Sequence, residues 1–346
     1  MLQFVGPYEI DREIARGGMA DVYEASHSIL GRRVALKVLR TSGAIDSGAQ
    51  RMTQEAQILE ALGAEGSVHV FDVGSLEDGR VWIAMELIHG ESVADRIARV
   101  GRLCIPSVIG IMHDVLDVLH VAHGHAIVHR DIKPENLIID DHGRCRVLDW
   151  GIAGIGGQRD RFARSDMQPG TPHYMSPEQA RGGPLDVKTD IYALGVVLFE
   201  ALTGLPPFDG ADDMEVLIQH LTIDAPAVGS CRPDCPTGLA RLIDSMLAKD
   251  PSSRPTTTDL RAGLVELTDA MRAFAPVAEL DNDEPSIEIE LDLDSMEPLD
   301  DDEVIELGPE SVTTTGRMRW TPDLSTMPRD VERKSRRGIA PVVPAT

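Results

Sequence analysis

Positive charge is in short supply in this chain. Thirty-three basic side chains face 57 acidic ones, a formal net charge of −24 over 346 residues. That balance excludes a general nucleic-acid binder, because phosphates are repelled. It also excludes electrostatic docking on an anionic membrane surface. Cysteine is rare. Cys104, Cys145, Cys231 and Cys235 are too few for a disulfide framework, and no second Cys or His pair follows Cys231 and Cys235 at zinc-ribbon spacing. All four read as free thiols of a reducing cytoplasm. Aromatic residues reach only 4%. No N-terminal segment has the charged-then-apolar order of a signal peptide. No run reaches the roughly 18 apolar residues of a membrane span. The nearest, Ile191 to Leu202, is interrupted by Glu200 and reads as a buried helix. These absences predict a cytoplasmic protein with neither a membrane segment nor a nucleic-acid partner.

What is present is enough for a sizeable core, since 42% of residues are apolar. The length fits two folding units, or one large domain with an appendage. The charge is unevenly spread. From Pro276 onward there are 18 acidic and 7 basic residues, and Glu279 to Glu310 contains no Lys or Arg. Ser286 to Asp294 alternates apolar and acidic residues as a strand can, but dense charge and flanking prolines favour disorder. The boundary falls near residue 275. The acidic tract reads either as a solubilising tail or as a dock for a basic protein partner. The cluster Arg333 to Arg337 reads as a solvated basic patch, with a pseudosubstrate role or modification of Ser335 as the sharper alternatives.

Before that boundary, a strand-rich start gives way to helices. Tyr8–Arg16, Ala20–Ser26, Arg33–Leu39, Phe71–Val73 and Val81–Glu86 read as strands, with Gln50–Leu62 as a helix between the third and fourth. After His89-Gly90 the periodicity turns helical over Ser92–Val100, Pro106–His123, Ile191–Thr203, Asp213–Leu221, Leu239–Leu247 and Leu260–Phe274. Short strands at Leu137–Ile139 and Cys145–Leu148 flank a turn at Asp140. A small β-rich lobe followed by a helical lobe puts a cleft between them.

The chemistry sits in three segments. His129-Arg-Asp-Ile-Lys-Pro-Glu-Asn136 sets a carboxylate and a carboxamide five residues apart, suited to orienting a hydroxyl nucleophile and binding a metal. Asp149-Trp-Gly151 adds a second carboxylate, and two such oxygen ligands suit Mg²⁺ completed by substrate phosphates. Val34-Ala-Leu-Lys37 places a lysine on a strand, with Glu55 on the next helix as its counter-charge. Joined by Gly170-Thr-Pro-His-Tyr-Met-Ser-Pro-Glu178, Asp190 in Lys-Thr-Asp-Ile-Tyr-Ala-Leu-Gly and Arg254 in Asp-Pro-Ser-Ser-Arg-Pro, these motifs cover about 220 residues and in their order along the chain resemble the eukaryotic-type protein kinases, most closely the bacterial serine/threonine kinases.

The resemblance implies a bilobal α+β kinase fold over residues 1–275, with a small lobe at about 8–85 and a large lobe at about 90–275. Residues 276–346 would be a disordered tail. It implies ATP as co-substrate, Mg²⁺ (or Mn²⁺ in its place) as metal, and Ser/Thr hydroxyls of proteins as acceptors. Lys37 would hold the α- and β-phosphates and pair with Glu55. Asp131 would be the catalytic base, Lys133 would contact the γ-phosphate, and Asn136 and Asp149 would bind metal. Ile14, Ala15, Arg16, Gly17, Gly18, Met19, Ala20, Asp21 and Val22 would form the phosphate loop. Val22, Ala35 and Ile138 would sandwich adenine, with Met85 as gatekeeper and the Glu86 carbonyl and Ile88 amide at its edge. Thr171 would brace Asp131 and Lys133. Asp190 would anchor the catalytic loop, and Glu178 would pair with Arg254. Ser165 would be the autophosphorylation site.

Two departures stand out. In the pattern G-x-G-x-x-G-x-V only Gly17 survives, with Ala15 and Ala20 at the other glycine positions, which predicts weakened ATP binding. Trp150 replaces the usual Phe, still as a large apolar anchor beneath the helix carrying Glu55. The crowded His120, His123, His125 and His129 fit the family's helix-to-loop segment rather than a metal site. The alternative to an active kinase is a nucleotide-binding pseudokinase that works as a scaffold; the alanines favour it and the complete Lys37, Glu55, Asp131, Asn136 and Asp149 set opposes it.

Overall fold

The computed structural model describes residues 3–17, 20–40, 47–63, 67–150, 154–155 and 171–274. The first part is a six-stranded antiparallel sheet with one helix. Its elements are β1 (Phe4–Val5), β2 (Tyr8–Arg16), β3 (Ala20–His27), β4 (Arg33–Leu39), helix α1 (Ser47–Leu62), β5 (Val70–Ser75) and β6 (Val81–Glu86). In space the strands run β1-β2-β3-β4-β6-β5. Alternation in β4 explains the layering. Val34, Leu36 and Val38 fall on one face, buried with Tyr8, Trp82 and Ala84. Ala35, Lys37 and Leu39 therefore fall on the other. Helix α1 covers that second face, where Met52 and Ala56 pack with Ala20, Leu39 and Ile83.

The second part is mainly helical. It contains β7 (Gly90–Ser92), α2 (Val93–Val100), α3 (Ile105–Gly124), β8 (Ile127–Val128), β9 (Leu137–Asp140), β10 (Cys145–Val147) and β11 (Gly154–Ile155). Helices α4 (Pro177–Ala180), α5 (Lys188–Thr203), α6 (Asp213–Thr222), α7 (Val228–Cys231), α8 (Thr237–Met246) and α9 (Thr257–Phe274) follow. Strand β9 lies between β10 and β7, and β11 pairs with β8. A Cβ on Gly90 would sit 2.2 Å from the Ile139 carbonyl oxygen, so glycine alone lets β7 lie against β9. Helix α5 is apolar almost all round and is the centre of this lobe, as such a pattern requires.

Helix α3 is a second largely apolar helix beside Ile191–Leu202. By length and composition Ile105–Gly124 could cross a membrane. In this fold it is a core helix packed against α5, α9 and β10, with Val108, Met112, Leu116 and Leu119 buried. Its buried Asp114 is answered by Arg144 Nε and the Cys145 amide at 3.0 and 2.8 Å. The four cysteines are unpaired. The expected acidic tail from residue 276 lies outside the described residues.

Candidate active site

Sheet register assembles the small-lobe side. Ala15 lies opposite Val22, Val22 opposite Lys37, and Ala35 opposite Met85. Opposed residues share a face, so Val22, Ala35, Lys37 and Met85 all look the same way, toward the large lobe. Lys37 Nζ donates to both carboxylate oxygens of Glu55 and to Asp149 Oδ1, each at 2.8 Å. Glu55 is 2% exposed while the Asp149 carboxylate is 49% exposed. Burial raises the Glu55 pKa against the pull of Lys37. The Lys37 ammonium holds Asp149 down at about 2. Burial opposes the charge on Lys37, but the carboxylates of Asp149 and Glu55 outweigh it and its pKa is raised.

The large-lobe side is the loop after β8. Lys133 Nζ donates to Asp131 Oδ2 at 2.8 Å. Asn136 Nδ2 donates to the Asp131 carbonyl at 2.8 Å and to its Oδ2 at 3.1 Å. The Leu148 amide donates to the Asn136 carbonyl at 2.8 Å, which brings Asn136 beside the segment carrying Asp149. Beneath the loop, fully buried Asp190 accepts from the His129 and Arg130 amides at 2.9 and 2.8 Å, and from His123 Nε2 at 2.9 Å. Burial alone would raise the Asp190 pKa; the His123 hydrogen bond leads the contacts that lower it. Arg130 and Asp149 have φ of 71° and 58°, the left-handed region that non-glycine residues seldom occupy. Both lie in the two loops that carry the carboxylates; the Arg130 amide is held by buried Asp190 and the Asp149 side chain by Lys37.

The phosphate loop is described only in part, since Gly18 and Met19 lie outside the described residues. Gly17 is required by close approach, because a Cβ there would meet the Ala20 carbonyl oxygen at 2.9 Å. The Gly17 amide donates to that same oxygen at 3.0 Å. Arg40 Nη1 donates to the Gly17 carbonyl at 2.9 Å, and its Nε lies 3.4 Å from Asp21. Arg16 also pairs with Asp21, and Ile14 is 41% exposed. Ala20 is 5% exposed, its methyl packed into the core under α1. The alanine at that glycine position therefore fills the sheet–helix layer.

Met85 and Ile88 are half-buried against the large-lobe core. Ile138 is half-buried on β9, opposite Arg146 of β10. Trp150 is 1% exposed, packs in one cluster with Ile58 and Leu59 of α1, and lies 4.5 Å from the His129 ring. Arg254 grips Glu178 with two parallel bonds at 2.7 and 2.8 Å, and Thr189 adds a third to Glu178 at 3.0 Å. Thr171 begins a short helical turn, but its side chain, like Ser165 as a whole, lies outside the described residues.

Several contributors were not anticipated. Ser176, at a position where the family often has Ala, forms a capping box with Gln179 at the start of α4. Gln179 then donates to the Arg130 carbonyl at 2.8 Å. The Ser-Pro-Glu-Gln run carries the capping signal; His123, Arg40 and Arg146 carry none, since their partners are far away in sequence.

No group of three or more His, Cys, Asp or Glu among the described residues forms a protein cage for a metal. Asn136 and Asp149 supply hard oxygen donors on neighbouring segments. That donor set fits a cation that keeps waters and takes its remaining ligands from phosphates, as Mg²⁺ does. The arrangement can neutralise a polyphosphate with Lys37 and Lys133 and orient a hydroxyl with Asp131.

Comparison with known proteins agrees with that chemistry. The family model described as protein kinase domain matches residues 8–263. The serine/threonine-protein kinase PrkC of Bacillus subtilis is 39% identical over 269 residues, covering 77% of this chain and 41% of its own length. The Myxococcus xanthus kinase pkn3 is 36% identical over 275 residues, with 77% and 50% covered. The DNA damage-responsive kinase RqkA of Deinococcus radiodurans is 38% identical over 256 residues, with 72% and 38% covered. The chain thus spans half or less of the length of these relatives.

Proposed function

The chain belongs to the protein kinase family, and from that premise we propose that it transfers the γ-phosphoryl group of ATP to serine or threonine hydroxyls of proteins. The observation that carries the proposal is the shared lysine: Lys37 bonds Glu55 of the small lobe and Asp149 of the large one at the same 2.8 Å. In the reaction the acceptor hydroxyl oxygen attacks the γ-phosphorus, ADP leaves, and the hydroxyl proton passes to an Asp131 carboxylate oxygen. Lys133 and Asn136 aim that carboxylate. Lys37 meets the inner phosphates and Glu55 holds it in place. Asn136 and Asp149 would hold Mg²⁺, which when bound neutralises charge on the phosphate oxygens. Catalysis is then mostly positioning and charge neutralisation.

Ala20 does not by itself favour a non-catalytic scaffold, because its methyl packs into the core. Autophosphorylation at Ser165 belongs to the proposal, as do a cytoplasmic location and the acidic tract as a dock for a basic partner. Mass spectrometry after incubation with ATP tests Ser165. Truncation at residue 276, assayed across salt, tests the dock; unchanged rate and salt dependence remove it. The central test is incubation of the full chain with labelled ATP and Mg²⁺. Wild type incorporates label and Asp131→Ala does not; equal incorporation by both removes the role given to Asp131.

A further inference from the structure

Arg146 lies on β10, three residues before Asp149, and belongs to none of the motifs above. Its guanidinium joins three pieces of the molecule. Nη2 donates to the Ser67 carbonyl at 2.7 Å, in the small-lobe segment between α1 and β5. The same nitrogen donates to Glu86 Oε2 at 2.8 Å, and Nη1 reaches Glu86 Oε1 at 3.4 Å, at the start of the segment linking the lobes. Asp140 of the large lobe lies 3.8 Å from Nη1. Only 15% of the Arg146 side chain is exposed. Glu86 is itself tied to the small lobe, its amide donating to the His69 carbonyl at 2.8 Å and its Oε2 accepting from the His69 amide at 3.3 Å.

We propose that Arg146 is a positioning residue that fixes how the lobes meet at the adenine end of the cleft, and so sets nucleotide affinity rather than transfer rate. The inference rests on the ATP reading of this cleft. Its logic is register. Arg146 faces Ile138 across the β9–β10 pair and shares its face, so the residue under adenine and the arginine that pins the linker move as one unit. The Lys37–Asp149 contact closes the phosphate end; the Arg146 fork closes the other. The planar fork serves Ser67 and Glu86 at once, which a lysine ammonium cannot reproduce with the same geometry.

The test uses the full chain, with ADP binding by calorimetry and steady-state transfer. Arg146→Met is expected to raise both the ADP Kd and the KM for ATP about fivefold, with kcat within about twofold. Arg146→Lys should fall between it and wild type. Glu86→Gln keeps the backbone carbonyl and breaks the fork from the other side; it should raise Kd alone and add little on top of Arg146→Met. An unchanged ADP Kd in Arg146→Met, or in Glu86→Gln where the first variant does not fold, overturns the proposal. So does a fall in kcat at constant KM. A wild type that binds ADP but transfers nothing refutes the proposed reaction and leaves the ADP comparison intact.

Discussion

Lys37 and Arg254 are both cations held by carboxylates inside the protein, yet their surroundings differ in kind. Lys37 is 12% exposed and divides its ammonium between two carboxylates from different lobes, one of them half in solvent. Arg254 is 0% exposed on its side chain. It spends its donors on Glu178 and on the carbonyls of Ala248, Lys188 and Lys249, and its guanidinium lies 4.8 Å over the Tyr192 ring. One pair has an alternative partner on hand, so an incoming phosphate can take its place at small cost. The other has every direction filled, so any change leaves a buried charge unpaired. A buried ion pair is therefore a switch or a strut according to how many of its contacts come from one rigid body.

Substitution on each side should break the comparison in opposite ways. Lys37→Met is expected to lower transfer by about a thousandfold while the unfolding midpoint barely moves. Burial already raises the Glu55 pKa, so Glu55 can take up a proton once its partner is gone. Arg254→Met should do the reverse. It should cost about 3–5 kcal/mol in denaturant unfolding by stranding Glu178, with transfer per folded molecule retained. A large activity loss in soluble, folded Arg254→Met would erase the distinction.

A pH series sharpens it further. His220 is fully buried, with Nδ1 2.9 Å from the Tyr192 hydroxyl, His173 nearby, and Lys249 standing over Phe208 at 4.2 Å. Burial first, and the Lys249 charge second, push its pKa from 6.5 down to about 4. The unfolded chain thus protonates first, and large-lobe stability falls as pH drops from about 6.5 toward 4, by about 3 kcal/mol in full. The unfolding midpoint against pH should bend in that window, and His220→Leu should flatten the bend.

The smallest effect belongs to Arg40, one residue past the end of the strand that carries Lys37 and 40% exposed. Arg40→Ala should raise the KM for ATP two- to threefold, roughly one exposed hydrogen bond's worth, with the midpoint unchanged. A loss as large as that of Lys37→Met would mean that Arg40 meets phosphate directly.

Much of this is legible in the amino-acid sequence. Strands Tyr8–Arg16, Arg33–Leu39 and Val81–Glu86 have the bounds read from the sequence; Arg33–Leu39 alternates because one of its faces is buried, whereas Val81–Glu86 buries both faces and Tyr8–Arg16 is exposed along most of its length. The pairs Lys37–Glu55 and Glu178–Arg254 are legible from family spacing. Other features carry no local signal. Phe4–Val5, Gly90–Ser92 and Ile127–Val128 are two or three residues long, too short to show any period. The positive φ of Arg130 and Asp149 falls on residues that do not advertise it, since tertiary contacts rather than glycine hold it. The fork of Arg146 joins positions 60 and 79 residues apart, which spacing along the chain cannot reveal.

The packing of Ala20 bears on which sequences are reachable from this one. Restoring the glycine of the pattern would free the loop's backbone and also empty a methyl-sized space against Leu39, Met52, Ala56 and Ile83. That step costs about 1 kcal/mol in lost burial and chain entropy, before any gain at the phosphates is collected. A larger residue at Ala56 would refill that space. The loop and the helix above it are therefore coupled through a single methyl group, and a change in one alters what the other costs.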